Sequence, residues 1–277
     1  MNPGRREESD EAGAAASQLA LPPIAEWQLR LFARYCGYYL RRHFHRLYLL
    51  ELSPATRLSD APLLICLNHP SWWDPIIGVY LSQHLFADRR HYGPIAAVAI
   101  TKYKFFERLG FFPIAPETRE GAFRFLQIGR AALLTPRCAL WVTAQGHFED
   151  VRVRPTRFQT GVGHLARTSS PFVMLPLALE YSFWRERTPE AFACFGEPIA
   201  VTDGRSKSAL DWTRTFALSV ESTQNLLAER VKSGQESHFQ ELFAGTAGVG
   251  GVYDVWRAVK SYARGKRFRA EHGIGLR

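Results

Sequence analysis

Two side chains that could perform acid–base chemistry, His69 and Asp74, follow a short apolar run at residues 63–67. A neutral imidazole can take a proton from a hydroxyl, and a carboxylate bound to its other ring nitrogen fixes the tautomer and stabilises the imidazolium. On a regular helix this spacing would turn the two side chains about 140° apart. They can meet only in an irregular connection, which Pro70 and Pro75 favour. The alternative is structural, with His69 ending a strand and Asp74 capping the next helix.

The elements that must position this pair alternate along the chain. The apolar run is short and bounded by prolines, as in a buried strand, and Pro75 suits the first turn of a helix. Further strands are predicted at 95–100, 138–142, 172–179 and 192–195, and helices at 76–86, 117–134, 158–167 and 209–231. This alternation predicts an α/β fold with a mostly parallel central sheet flanked by helices. In such folds ligands bind where the strands end, which is where His69 and Asp74 lie.

Composition limits the class of partner. The chain has 277 residues, 46% of them hydrophobic, which suits one large domain with appendages. Its formal net charge of +9 favours an anionic partner, either nucleic acid or a membrane surface. The sequence contains no recognisable nucleic-acid reader, Walker or dinucleotide motif, so no nucleic-acid partner is predicted.

The cysteines and the hydropathy profile bear on location. Cys36, Cys66, Cys138 and Cys194 stand apart among apolar residues without zinc-type spacing, so we expect buried thiols in a reducing compartment and no metal site. No apolar stretch reaches the roughly 20 residues that span a bilayer, and no signal peptide is evident. We therefore expect a cytoplasmic protein that can lie on the cytoplasmic face of a membrane as a peripheral protein.

The segment from Asn68 to Asp74 (Asn-His-Pro-Ser-Trp-Trp-Asp) resembles the glycerolipid and lysophospholipid acyltransferase superfamily, which includes the 1-acyl-glycerol-3-phosphate acyltransferases and carries Asn-His-x-x-x-x-Asp after an apolar strand. Residues 110–114, 141–148 and 173–178 are similar, in the same order, to that family's further motifs. The resemblance covers roughly residues 60–200.

This resemblance implies an O-acyltransferase in which His69 deprotonates an acceptor hydroxyl and Asp74 orients His69. The hydroxyl would attack an acyl thioester of coenzyme A or acyl carrier protein, which acts as co-substrate, and no other cofactor is implied. A backbone amide at the start of the following helix or near Gly146 would stabilise the oxyanion. The substrate-binding positions that the resemblance implies are Asn68, Ser71, Arg119, Gln145, Gly146 and His147.

Several positions depart from the family pattern. An arginine that contacts phosphate in the family aligns near Pro116, and the nearest arginine is Arg119. In the third motif Gln145 replaces a glutamate, and His147 and Phe148 replace threonine and arginine. Since phenylalanine cannot replace a cation that binds phosphate, we expect an acceptor without glycerol phosphate, such as a glycolipid or another neutral lipid alcohol. The alternatives are a lysophosphatidate acyltransferase with altered motifs and a non-catalytic lipid-binding relative.

Four segments are predicted along the chain. Residues 1–22 are expected to be disordered. Residues 23–52 are expected to form an amphipathic, basic helix on the membrane surface, although an ordinary packing helix fits the same pattern. Residues 53–235 would form the acyltransferase domain. Residues 236–277 would form a helical, basic tail that contacts lipid headgroups or is simply solvated.

Overall fold

A single mixed sheet, mostly parallel, forms the centre of the computed structural model, which describes residues 21–50, 60–115, 117–184 and 186–245. The strands are β1 (Arg46–Leu50), β2 (Leu63–Leu67), β3 (Arg90–Ala96), β4 (Phe111–Ile114), β5 (Cys138–Thr143), β6 (Phe172–Ser182), β7 (Glu190–Phe195), β8 (Ile199–Val201) and β9 (Phe239–Ala244). The helices are α1 (Glu26–His43), α2 (Asp74–Leu85), α3 (Ala97–Lys102), α4 (Arg119–Leu133), α5 (Gly161–Ser169) and α6 (Ala209–Lys232). Short 3₁₀ helices cover Lys104–Leu109, Gly204–Ser206 and Glu236–His238.

The strand order is β4-β3-β5-β2-β6-β7-β1-β9, with β8 paired to β6. The five strands from β4 to β6 run parallel, whereas β7 is antiparallel to β6 and β9 is antiparallel to β1. The predicted α/β fold with a mostly parallel sheet flanked by helices is therefore confirmed. The carboxyl ends of β2 and β5 meet at one edge of the sheet, which brings residues 68 and 144 side by side.

The central strand β2 is buried on both faces. Leu64 and Cys66 pack into a core beneath α4, α5 and α6, whereas Leu63, Ile65 and Leu67 pack into a second core beneath α1 and α2. A strand covered on both faces needs a continuous apolar run, which explains the pattern that the sequence shows here. The result is a rigid support directly before His69.

The helix predicted over 23–52 is too long, because α1 ends at His43 and Arg46–Leu50 forms β1 between β7 and β9. Four consecutive apolar residues, 47–50, are buried in β1 on alternate sheet faces. Such a run suits a strand rather than the one-sided stripe of a surface helix. The sheet thus includes strands that precede and that follow the predicted 53–235 domain in the sequence.

Two further predictions are corrected. The strand expected at 95–100 begins earlier, as β3, and residues 97–102 form α3. The early part of β3 is polar in sequence, but His91 is buried with both ring nitrogens bonded, one to the Trp141 indole and one to the Phe86 carbonyl. In the predicted tail, Phe239–Ala244 forms β9 rather than helix. The predictions for residues 1–20 and 246–277 lie outside the described residues.

Helix α6 confirms the prediction for 209–231, and its first turn is capped by the Ser208 hydroxyl, which accepts from the Asp211 amide. All four cysteines are buried free thiols, and burial raises the pKa of Cys36 and of Cys194 to about 12. Across the described ranges, no helix combines the length and apolar character that crossing a bilayer requires.

Candidate active site

His69 and Asp74 meet in the connection between β2 and α2. The Nδ1 atom of His69 lies 2.6 Å from Oδ2 of Asp74. The Asp74 side chain is fully buried, whereas the His69 side chain is 17% exposed. With Asp74 ionised, Nδ1 carries the proton and Nε2 is left as a base. No described residue hydrogen-bonds Nε2, so this nitrogen can take a proton from a substrate.

The irregular backbone that permits this contact arises from the sequence between the two residues. Asp74 is the first residue of α2, and Pro75 follows it in the first turn, where a missing N–H is tolerated. The Ser71 N–H donates to Oδ2 of Asp74 at 3.1 Å, and the Asp74 N–H donates to the Ser71 carbonyl at 3.1 Å. The chain thus turns back on itself, and Asp74 both begins the helix and holds the imidazole.

Tyr181 completes the environment of the carboxylate. Its hydroxyl donates to Oδ1 of Asp74 at 2.7 Å from strand β6, the neighbour of β2. Burial, together with the adjacent Asp74 charge, raises the pKa of Tyr181 well above its ordinary value. The hydroxyl therefore stays protonated and remains a donor. Among the described residues, three donors bind the Asp74 carboxylate: His69, the Ser71 amide and the Tyr181 hydroxyl.

Asn68 fixes the end of β2 to β6. Its Nδ2 donates to the Leu179 carbonyl at 2.9 Å, and its Oδ1 accepts from the Leu179 N–H at 2.8 Å. The side chain is buried and replaces a pair of backbone ladder bonds where the strand ends. This geometry differs from the predicted role in substrate binding, because the amide is already engaged by the protein backbone.

The turn after β5 holds the backbone of His69. Oε1 of Gln145 accepts from the His69 N–H at 2.6 Å, and the Glu149 N–H donates to the His69 carbonyl at 3.0 Å. Gly146 has a φ of 81°, a left-handed conformation that glycine adopts without strain. The Gly146 N–H donates to the Thr143 carbonyl at 3.1 Å, so the predicted oxyanion donor is engaged within the turn.

His147 and Phe148, at the end of this turn, lie at the surface. The Phe148 ring lies 4.3 Å from the imidazole of His69, centroid to centroid, and the residue is 59% exposed. His147 is also mostly exposed, with Nε2 3.7 Å from a Glu149 oxygen. The position where the family pattern has an arginine thus places an apolar ring against the His69 imidazole.

Aromatic side chains border the other side of the pair. Trp72 is 54% exposed and stacks on Trp73 at 4.4 Å. Trp73 in turn contacts Tyr39 and His43 of α1. A continuous cluster of aromatic rings therefore joins α1 to the segment between His69 and Asp74.

Among the described residues, Arg119 forms no hydrogen bond or ion pair with His69 or Asp74. It is the exposed first residue of α4, which follows the edge strand β4. Two strands separate β4 from β2 in the sheet. The axes of β4 and β2 are therefore three inter-strand spacings apart, which is about 14 Å. Its predicted contact with substrate stays a prediction.

The sequence-based prediction missed Tyr181 and Glu149. Neither lies within a recognised motif. Each reaches the segment after β2 from a strand next to β2: Tyr181 lies on β6, and Glu149 follows β5. Tyr181 could have been found from the parallel pairing of β2 with β6, which sets Leu67 opposite Leu177 and brings the following residues of both strands to one edge.

Comparison with known proteins shows a likeness in structure. No family model matches the chain, and no curated protein sequence is significantly similar to it. The crystal structure of the 1-acyl-sn-glycerophosphate (LPA) acyltransferase PlsC from Thermotoga maritima is similar, with a TM-score of 0.51 and 12% sequence identity. The alignment covers 74% of this chain and 80% of that chain. At this identity the likeness is one of fold, and the chain has an α/β fold similar to that of the PlsC acyltransferase.

Proposed function

We propose that the protein transfers a fatty acyl group from a thioester of coenzyme A or acyl carrier protein to a hydroxyl of a lipid. The contact between Nδ1 of His69 and Asp74, with Nε2 of His69 left as a base at the carboxyl edge of a parallel sheet, carries this proposal. The similar fold of an acyltransferase supports it. A non-catalytic lipid binder would not need a base held by a buried carboxylate.

The chemistry requires one proton relay. Nε2 of His69 removes the proton of the acceptor hydroxyl while its oxygen attacks the thioester carbonyl carbon. Asp74 stabilises the imidazolium that forms. The tetrahedral intermediate then collapses, the C–S bond breaks, and the leaving thiolate takes the proton from Nε2. The acyl group passes directly from donor to acceptor, and His69 returns to its neutral state.

The surroundings of His69 favour an acceptor without a phosphate. Phe148 places an apolar ring beside His69, and Arg119 is exposed at the start of α4. We assign the Ser71 and His147 side chains, which lie close to His69 in sequence and across the turn after β5, respectively, to acceptor binding. The family resemblance suggests Gln145 and Asn68 as binding groups. In the structure, Gln145 bonds the His69 N–H and the Glu149 carboxylate, and Asn68 bonds the Leu179 backbone. A glycolipid or another neutral lipid alcohol fits this surface.

A lysophosphatidate acceptor is the second candidate. The similar PlsC structure is described as an LPA acyltransferase, and the exposed His147 could supply one cationic contact when protonated. This reading requires phosphate binding with fewer fixed cations than the family motif has.

An exposed face of α1, together with the 3₁₀ helix Lys104–Leu109 that packs against it, suits attachment to a membrane surface. Trp27, Leu31, Tyr35 and Tyr38 form one stripe on α1 and are all more than half exposed. The Phe32 ring joins this stripe to Phe105, with centroids 5.7 Å apart. Basic side chains flank it: Arg30, Arg34, Lys102 and Lys104. We name these apolar and basic residues the docking face, and we infer that it contacts the headgroup region of anionic lipids.

An acceptor panel tests the proposed function. Purified protein is incubated with long-chain acyl-CoA or acyl carrier protein and with vesicles that contain a glycolipid, a lipid alcohol or lysophosphatidate. Thiol release and the mass of the acylated lipid are measured. We expect acyl transfer with a neutral acceptor as the best substrate. Preference for lysophosphatidate would contradict the acceptor assignment, and lipid binding without acyl transfer would support the non-catalytic alternative.

A further inference from the structure

Glu149 is a charged side chain beside the active site that the proposed mechanism does not use. It lies four residues after Gln145, and its side chain is 20% exposed. Its backbone N–H donates to the His69 carbonyl at 3.0 Å, and its carboxylate accepts a short hydrogen bond from Nε2 of Gln145. Glu149 therefore contacts His69 directly through its backbone and indirectly through Gln145.

The orientation of the Gln145 amide depends on this carboxylate. The His69 N–H is a donor, so it requires the Gln145 oxygen, which it meets at 2.6 Å. This arrangement turns the NH₂ group of Gln145 toward Glu149. A carboxylate accepts hydrogen bonds only, so it favours this one orientation of the amide. A bond to a charged acceptor is also stronger than one between neutral groups.

We propose that Glu149 is a positioning residue for the catalytic base: through the Gln145 amide it holds the backbone of His69 at the distance from substrate that proton transfer needs. This inference rests on the proposed acyl transfer. The segment 145–149 binds both the N–H and the carbonyl of His69, while Asp74 binds its ring. His69 is thus fixed at three points. Release of one point displaces the imidazole, and a misplacement of about 1 Å can lower a rate by roughly 100-fold.

The hydrogen bond between Gln145 and Glu149 also explains why glutamine suits position 145. A glutamate there could still accept from the His69 N–H, but it would set two carboxylates against each other, which repel. Position 145, where the family has a glutamate, is therefore a glutamine in this chain, and the carboxylate lies instead at position 149, where the glutamine amide can bond it. Exchange of the two residues reverses the hydrogen bond between the side chains and keeps the acceptor for His69.

Five proteins test this proposal: wild type, Gln145→Glu, Glu149→Gln, Glu149→Ala and the exchanged double variant Gln145→Glu/Glu149→Gln. We expect Gln145→Glu and Glu149→Ala to lower kcat by about 10- to 100-fold with little change in KM for the acyl thioester. Glu149→Gln should stay within about threefold of wild type, because an amide oxygen can still accept. The double variant should recover most of the activity that Gln145→Glu loses.

A second measurement makes the result independent of acyl transfer. In protein labelled with ¹⁵N-histidine, the resonance of the His69 proton shared with Asp74, assigned with His69→Ala, should shift in Gln145→Glu and return in the double variant. A double variant as slow as Gln145→Glu, with an unrestored resonance, would overturn the proposal. Wild-type kcat and an unshifted resonance in Glu149→Ala would do the same. If the wild type transfers no acyl group, the proposed function fails, and the resonance alone decides whether Glu149 positions His69.

Discussion

The two sides of the His69 imidazole differ in how firmly the protein holds them. On the inner side, Asp74 is buried and accepts hydrogen bonds from His69, from the Ser71 amide and from the Tyr181 hydroxyl. On the outer side, Trp72, His147 and Phe148 are mostly exposed. In the proposed function, the buried network would therefore control the proton chemistry, whereas the exposed side chains would contact the substrate. Substitutions on the inner side should lower the rate with every acceptor, and those on the outer side should change which acceptor is used.

The largest effect is expected from Asp74→Asn. This change preserves the shape of the side chain but removes the charge that selects the tautomer of His69 and stabilises the imidazolium. By analogy with the Asp-to-Asn change in a serine protease triad, kcat should fall by about 10³- to 10⁴-fold with every acceptor. Steady-state kinetics check this, with circular dichroism as the control for folding. A loss smaller than tenfold would mean that the inner side does not set the rate.

Tyr181→Phe should have a smaller effect of the same kind. It removes one donor to Asp74 and keeps the ring packing, so we expect kcat to fall about tenfold and the free energy of unfolding to drop by about 1–3 kcal/mol. Tyr80→Phe is the matched control. The Tyr80 hydroxyl is bonded to the Leu242 carbonyl on another part of the sheet, so this variant should lose stability without losing rate. Equal losses of rate in both variants would argue against a specific role of Tyr181.

The docking face provides a test in which neither side of the imidazole is changed. Leu31→Glu adds a negative charge to the exposed stripe of α1 and should weaken binding to anionic vesicles roughly fivefold, since one charge near such a surface is worth about 1 kcal/mol. Vesicle sedimentation measures this. Leu218→Glu, at a residue of similar exposure on α6, is the control. If both variants bind as the wild type does, the docking face is not the membrane contact.

Phe148→Arg tests the outer side of the imidazole. It restores a cation beside His69, and an exposed ion pair is worth at most about 1 kcal/mol. We expect the ratio of kcat/KM for lysophosphatidate to that for a neutral acceptor to rise roughly threefold, with the kcat for the neutral acceptor little changed. Phe123→Arg adds the same charge at an exposed phenylalanine on α4 and serves as the control. An equal shift in both variants would indicate a general effect of charge.

The sequence predicted the inner side better than the outer side. The apolar run of β2 and the prolines around His69 and Asp74 have direct physical consequences, so the strand, the turn and the helix follow from them. Tyr181, Asn68 and Glu149 depend on which strand ends meet across the sheet, and local sequence does not contain that information. The strand β1 was mistaken for helix because four adjacent apolar residues also continued part of the helical stripe. The sequence places the start of β3 too late, because His91 is polar and its hydrogen bonds form only in the folded core.

The rate of acyl transfer in His69→Ala tests whether His69 is the catalytic base. Purified wild type and variant are compared with a long-chain acyl-CoA and the best acceptor of the panel, and the acylated lipid is measured by mass. Loss of the base should lower kcat by at least about 100-fold, the lower limit of general-base catalysis, while binding of the vesicles stays at the wild-type level. Acyl transfer by His69→Ala at the wild-type rate would contradict the assignment of His69 as the catalytic base.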